Sequence, residues 1–127
     1  MLLIHTHIDK SPIQGIGVFT RQAIRKGEAI WRLDLRFDQL IETALYESME
    51  GPIKDYLDRY CYPRRGDPRH IVFEADDARY MNHADQPNCD FGHGDIAYAM
   101  RDIAAGEELT CDYNVFFENG FEFLGDR

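Results

Sequence analysis

Apolar and polar residues alternate over short runs through most of the chain, and one stretch breaks that rhythm. Residues 2–8 read as a strand, with His5 and His7 on one face because side chains alternate. Val18 and Phe19 begin another strand after a turn holding Pro12, Gly15 and Gly17, whose bare backbone a ligand can approach closely. Residues 23–31 predict a turn and then a strand. Residues 70–75, 89–91, 96–100 and 109–113 add further strands, with Gly92-His93-Gly94-Asp95 turning one into the next. The break comes at Phe37, Leu40, Ile41, Ala44, Leu45 and Met49, whose spacing predicts a helix over 37–50. Gly51-Pro52 ends it. A second short helix follows over 53–62, with Ile53, Tyr56, Leu57 and Tyr60 on one side. Residues 63–68, with two prolines and a glycine, predict a loop.

The expectation is a mainly β single domain over 1–127, with a helical insert at about 37–62 and an aromatic C-terminal tail over 114–127. The βα alternation of a doubly wound sheet is missing. The pattern apolar, two residues, Gly-Glu occurs at Ile24 to Glu28 and again at Ile103 to Glu107. Each copy predicts a short turn feeding a strand, without duplication of a domain. In the tail, Phe116, Phe117, Phe121 and Phe123 stand among polar residues, so it should pack on the body, a ligand or another subunit.

The chain has 127 residues. That is enough to bury roughly two-thirds of its unfolded surface without a disulfide or metal. Its net charge of −9 argues against a nucleic-acid partner held through phosphates, which needs a basic face. The charge suits a basic protein or peptide partner, and equally suits plain solubility. Arg64, Arg65 and Arg69 form one basic spot, read as a solvated loop. Cys61, Cys89 and Cys111 are odd in number and contain no C-x-x-C, so they form neither a disulfide framework nor a four-cysteine zinc site. Free thiols in a reducing compartment fit best. No secretory leader and no run of about 18 apolar residues is evident. An intracellular protein without a membrane partner is therefore expected, cytoplasmic in a bacterium or nuclear in a eukaryotic or viral setting.

Two stretches do not look like ordinary element filler. The first, Arg79-Tyr80-Met81-Asn82-His83-Ala84-Asp85-Gln86-Pro87-Asn88, crowds side chains that bond to backbone in irregular turns. The second is Gly106-Glu107-Glu108-Leu109-Thr110-Cys111-Asp112-Tyr113, a strand ending in a tyrosine. Asn82, His83, Asn88 and Tyr113 form a polar set that can serve one site, together with the glycine loop at 14–17. His5 and His7 have no evident third ligand, which leaves a metal site poorly supported. Neither Cys89 nor Cys111 sits in a recognisable nucleophile context. Taken without further context, His83 is equally consistent with a buried structural histidine.

The segment Asn82-His83-x-x-x-Pro87-Asn88, with Arg79-Tyr80-Met81 before it, resembles a signature of SET-domain protein-lysine methyltransferases. Gly106-Glu107-Glu108-Leu109-Thr110-x-Asp112-Tyr113, preceded by Arg101-Asp102-Ile103, resembles their C-terminal signature. Ser11-Pro12-x-x-Gly15-x-Gly17-Val18-Phe19, followed by Gly27-Glu28, is similar to their N-terminal one. The three occur in the family's order and cover Leu3 to about Tyr113. The chain thus resembles a minimal free-standing member, similar in size to small viral and bacterial ones.

The resemblance implies a β-fold of small curved sheets in which the C-terminal segment threads pseudoknot-like past an earlier strand. It implies S-adenosyl-L-methionine as co-substrate, no metal, and binding of that donor by Gln14, Gly15, Ile16, Gly17, Asn82 and His83. Many relatives carry a cysteine-rich zinc-binding tail; no cysteine follows Cys111 here, so by analogy Phe116, Phe117 or a nearby tail aromatic is expected to cover the donor's adenine instead. Tyr113 is the implied catalytic tyrosine, and Met81, Cys111 and Tyr113 the implied walls of a narrow lysine channel. Many relatives carry Phe or Tyr where Cys111 stands, so a wider pocket and di- or trimethylation are expected. The implied partner is a basic protein, histone-like or ribosomal, and a homodimer is left open. The alternative is a catalytically weak or inactive module that grips a basic peptide.

Overall fold

The computed structural model describes residues 1–117. In chain order they form β1 (Thr6–Lys10), β2 (Ile16–Thr20), β3 (Ala29–Arg32), β4 (Gln39–Glu42), α1 (Thr43–Ser48) and α2 (Pro52–Tyr60). There follow β5 (Tyr62–Arg64), β6 (Asp67–Phe73), a 3-10 helix (Asp77–Tyr80), β7 (Asn82–His83), β8 (Cys89–Asp90), β9 (Ile96–Ala99), β10 (Glu108–Cys111) and a second 3-10 helix (Tyr113–Phe116). The fold is mainly β, as the alternating runs imply. Among the described residues no helix is long and apolar enough to cross a membrane.

The strands make three small sheets, ordered β1-β2-β10-β7, β3-β9-β8 and β4-β6-β5. In the first, β10 lies between β2 and β7. It runs antiparallel to β2, with Leu109 opposite Val18, and parallel to β7, with Thr110 opposite Asn82 and Cys111 opposite His83. A parallel pair needs a long connection. Here residues 84–107 supply it, and they carry β8 and β9 into the second sheet. The first two sheets contribute the main core, with Val18, Ile30, Ala97 and Leu109 fully buried and Trp31 nearly so. A smaller cluster of Leu57, Cys61 and Ile71 sits under the helical insert.

The Gly-Glu repeat has a structural meaning. Ile24 and Ile103 face each other in an isolated antiparallel bridge, each N–H donating to the other's carbonyl at 2.8 Å. The two turns that follow use Gly27 and Gly106 at φ of 85° and 92°, where a side chain is strained. Two similar segments therefore brace one another across the core.

Three expectations change. The helix expected over 37–50 is half strand: Gln39–Glu42 pairs with β6, Leu40 opposite Val72 and Ile41 opposite Ile71, and only Thr43–Ser48 is helical. A short apolar run fits either period, and here a distant partner strand decides. Residues 63–68 form the β5–β6 hairpin, not a loop, with Gly66 at φ 74° in its turn and Pro63 on the edge strand β5, where proline is tolerated. The first strand starts at Thr6, while Leu2 bridges Trp31 separately. The second helix stands as expected, with Gly51 before it and Pro52 at its first position.

Candidate active site between two distant segments

Glu108, half-buried at the start of β10, ties three segments together. Its carboxylate accepts from Ser11 Oγ at 2.8 Å and from Asn82 Nδ2 at 2.9 Å. Asn82 Nδ2 also donates to the carbonyls of Gln14 (3.2 Å) and Ile16 (3.1 Å), which holds the glycine loop against β7. Gly17 makes this possible: a Cβ there would sit 2.3 Å from Glu108 Oε2 and 3.2 Å from Asn82 Nδ2. Ser11 closes the loop by accepting from Ile13 N, and its own N–H bonds Gly15 O at 2.8 Å. Gln14, Gly15 and Ile16 are exposed, so their backbone faces solvent beside Asn82.

A second set of bonds fixes the other end of β10. Asn88 is 3% exposed. It donates to Glu108 O at 2.8 Å and accepts from Thr110 N at 2.9 Å, satisfying backbone that parallel pairing leaves open. His83 Nδ1 accepts from Tyr113 N–H at 3.0 Å. The ring proton therefore lies on Nε2, which donates to Asp85 Oδ1 at 3.1 Å. The Tyr113 hydroxyl donates to Met81 O, and its ring lies 5.3 Å from that of His83. The two unusual stretches thus meet side by side, and each sets the orientation of the other.

On the far side of this junction lies a pocket that is partly open to solvent. Met81, Cys111 and Tyr113 line it. Phe116 and Phe117 line the same pocket, whereas residues 14–17 do not. Phe116 stacks on Tyr62 with ring centres 4.3 Å apart and meets Phe91 edge-on at 5.8 Å. The space left by the small Cys111 is therefore bordered by Tyr62 and Phe116. Phe121 and Phe123 lie outside the described residues. Among the described residues no three His, Cys, Asp or Glu side chains gather as a metal site needs. His7 instead stacks on Phe19 at 5.6 Å.

Sequence reasoning gave no role to Glu108, Tyr62 or Glu74. Glu74 is 4% exposed, lines the pocket, and accepts from the Tyr62 hydroxyl at 2.7 Å. Burial pushes its carboxyl up to about 7, against the opposing pull of the Tyr62 hydrogen bond. Burial, with the neighbouring carboxylate, holds the Tyr62 phenol well above its ordinary range. Burial also lifts the Cys61 and Cys89 thiols to about 12, so neither is a thiolate at neutral pH. A single acid inside the apolar run Ile71-Val72-Phe73-Glu74 was the available signal for a buried carboxylate.

A family model described as the SET domain matches residues 15–114. Among curated relatives, the histone-lysine N-methyltransferase trithorax of Drosophila melanogaster is 32% identical over 87% of this chain. Human histone-lysine N-methyltransferase 2B is 27% identical over 87% of it. The chain spans 3% and 4% of the length of those two proteins. Among solved structures, the autoinhibited Polycomb Repressive Complex 2 of Chaetomium thermophilum bound to S-adenosylmethionine matches with a TM-score of 0.68 and 25% identity. That match covers 91% of this chain and 16% of the other. A crystal structure of a Plasmodium falciparum candidate histone methyltransferase gives a TM-score of 0.61 at 23% identity, over 88% of this chain and 95% of that one, a likeness of fold alone.

Proposed function

This chain belongs to the SET-domain family, and from that premise we propose that it transfers methyl groups from S-adenosylmethionine to the side-chain amine of a lysine in a basic protein. The observation that carries the reading is the junction of β7 and β10. It sets polar side chains and backbone at residues 14–17, Asn82 and His83 on one side and an aromatic pocket behind Tyr113 on the other.

That polar surface suits the donor. Its glycine loop is exposed, and Gly17 leaves room for the Glu108–Asn82 contact beneath it. Asn82 Nδ2 is committed to two carbonyls and a carboxylate, so its amide oxygen is the atom that can accept from the donor's ammonium. When bound, the donor supplies an electrophilic methyl on a sulfonium, and no metal is needed for that transfer. The chain's task is alignment. Holding two reacting groups in line is worth roughly 7–11 kcal/mol in favourable cases. Tyr113, anchored through its hydroxyl on Met81 O and through its N–H on His83, supplies a fixed polar point at the back of the pocket.

The net charge of −9 favours a basic substrate, histone-like or ribosomal, over an acidic one. The test is incubation with isotopically labelled donor and purified histones or ribosomal proteins, followed by peptide mass spectrometry. Methyl label on lysine is expected, lowered by at least about 10²-fold in Tyr113→Phe. Full turnover by Tyr113→Phe removes the tyrosine from its role.

A further inference from the structure

We propose that Glu74 makes the far wall of the pocket a receptor for an ammonium group and takes the proton that the lysine must lose before it can attack. The proposal rests on the methyltransfer reading and names a residue that the three sequence motifs do not include.

The geometry comes first. Glu74 follows β6 directly and lies on the pocket wall with Tyr62, Met81, Cys111 and Tyr113. It is the one carboxylate among the described lining residues. The Tyr62 hydroxyl donates to Oε1 and fixes the carboxylate in place. The charged groups around it are few. Asp76 and Asp38 raise its affinity for a proton and the α-amino group of Met1 lowers it, while the Cys61 thiol lies close enough to be affected by it. Arg59 and Arg79 stand on the same pocket wall.

The chemistry follows from desolvation. Water-poor surroundings favour the neutral form of an acid and of an amine alike. An ammonium entering beside a buried carboxylate first gains an ion pair. Passing the proton across then gives a neutral acid and a neutral amine, which removes two buried charges at once. In that step an N–H bond of the ammonium breaks, its electron pair stays on nitrogen, and an O–H bond forms on Glu74. The freed pair then takes the methyl carbon while the carbon–sulfur pair remains on sulfur. Glu74 returns its proton to water at the pocket's open side once the product has left. A carboxyl group with a midpoint near 7 suits this cycle.

The decisive variant is Glu74→Gln, whose amide oxygen still accepts from Tyr62 but which carries neither charge nor an exchangeable acid. Wild-type kcat/KM should rise with pH through a limb near 7, and Glu74→Gln should lose that limb and about 10²-fold in rate at pH 8. Turnover within twofold of wild type, with the limb intact, overturns the proposal. A second readout needs no turnover: the Glu74 carboxyl carbon is titrated by NMR with n-butylammonium or with neutral 1-pentanol. The ammonium should lower the midpoint by about one unit or more and the alcohol should not. If wild type transfers no methyl yet the ammonium shifts the titration, the methyltransfer reading falls and the ammonium receptor stands. An unmoved midpoint overturns the receptor.

Discussion

Replacing Gly17 with alanine tests whether the glycine loop is held by the contact beneath it. The new methyl carbon would lie 2.3 Å from Glu108 Oε2, 2.8 Å from Glu108 Cδ and 3.2 Å from Asn82 Nδ2. Gly17 is not among the positive-φ glycines, so backbone strain contributes little and the cost comes from contact. The Glu108 carboxylate must leave its position, and with it go the bonds from Ser11 Oγ at 2.8 Å and Asn82 Nδ2 at 2.9 Å. Hydrogen bonds to a charged group contribute about 1.5–3 kcal/mol each. Partial solvation of the displaced groups brings the expected loss to about 2–4 kcal/mol, or a fall in Tm on the order of 10 °C. The control is Gly15→Ala, at φ 50° with nothing within 4 Å of the added carbon, where only about 1 kcal/mol of backbone cost is expected. Urea denaturation of both variants gives the comparison. A Gly17→Ala protein as stable as Gly15→Ala refutes the argument that Glu108 needs this space.

Two further outcomes follow from the pocket. Glu74 titrates at about 7 when folded, against an ordinary 4.5. The native state therefore binds more protons than the unfolded one between those values, so this group's contribution is full below about pH 4.5 and is lost as pH rises through 7. The loss is at most about 3 kcal/mol; urea unfolding at pH 5 and pH 8 should show wild type losing stability relative to Glu74→Gln, and parallel behaviour of the two would contradict the burial argument. Cys111 is 3% exposed on the same wall, so Cys111→Phe should fill space and reduce the methyls added per lysine, read as a shift from di- or trimethyl to monomethyl product by mass spectrometry. Unchanged product masses would mean that Tyr62 and Phe116 already set that limit.

The parts legible in the sequence are those where chemistry is local. Asn82, His83, Asn88 and Tyr113 stood out because such residues rarely crowd into regular elements, and the fold brings all four to the β7–β10 junction. Gly27 and Gly106 marked turns because each copy of the repeat needs a positive φ. What was not legible depends on partners far along the chain. Leu40 and Ile41 fit a helix until Ile71 and Val72 arrive beside them. Glu107 and Glu108 look alike in sequence, but the first lies before β10 and pairs with Arg101, while the second opens β10 and meets Ser11 and Asn82. The ring contacts of Phe116 with Tyr62 and Phe91 likewise depend on tertiary packing.

The central claim is that three distant segments build one methyl-donor site with Asn82 at its hub. Calorimetric titration of the purified chain with S-adenosylmethionine tests it most directly, beside Asn82→Ala. The account predicts one saturable site in wild type and an affinity at least about tenfold weaker in Asn82→Ala, the loss of roughly one charge-assisted hydrogen bond. Absence of binding to the folded wild-type chain, or equal binding by Asn82→Ala, would contradict it.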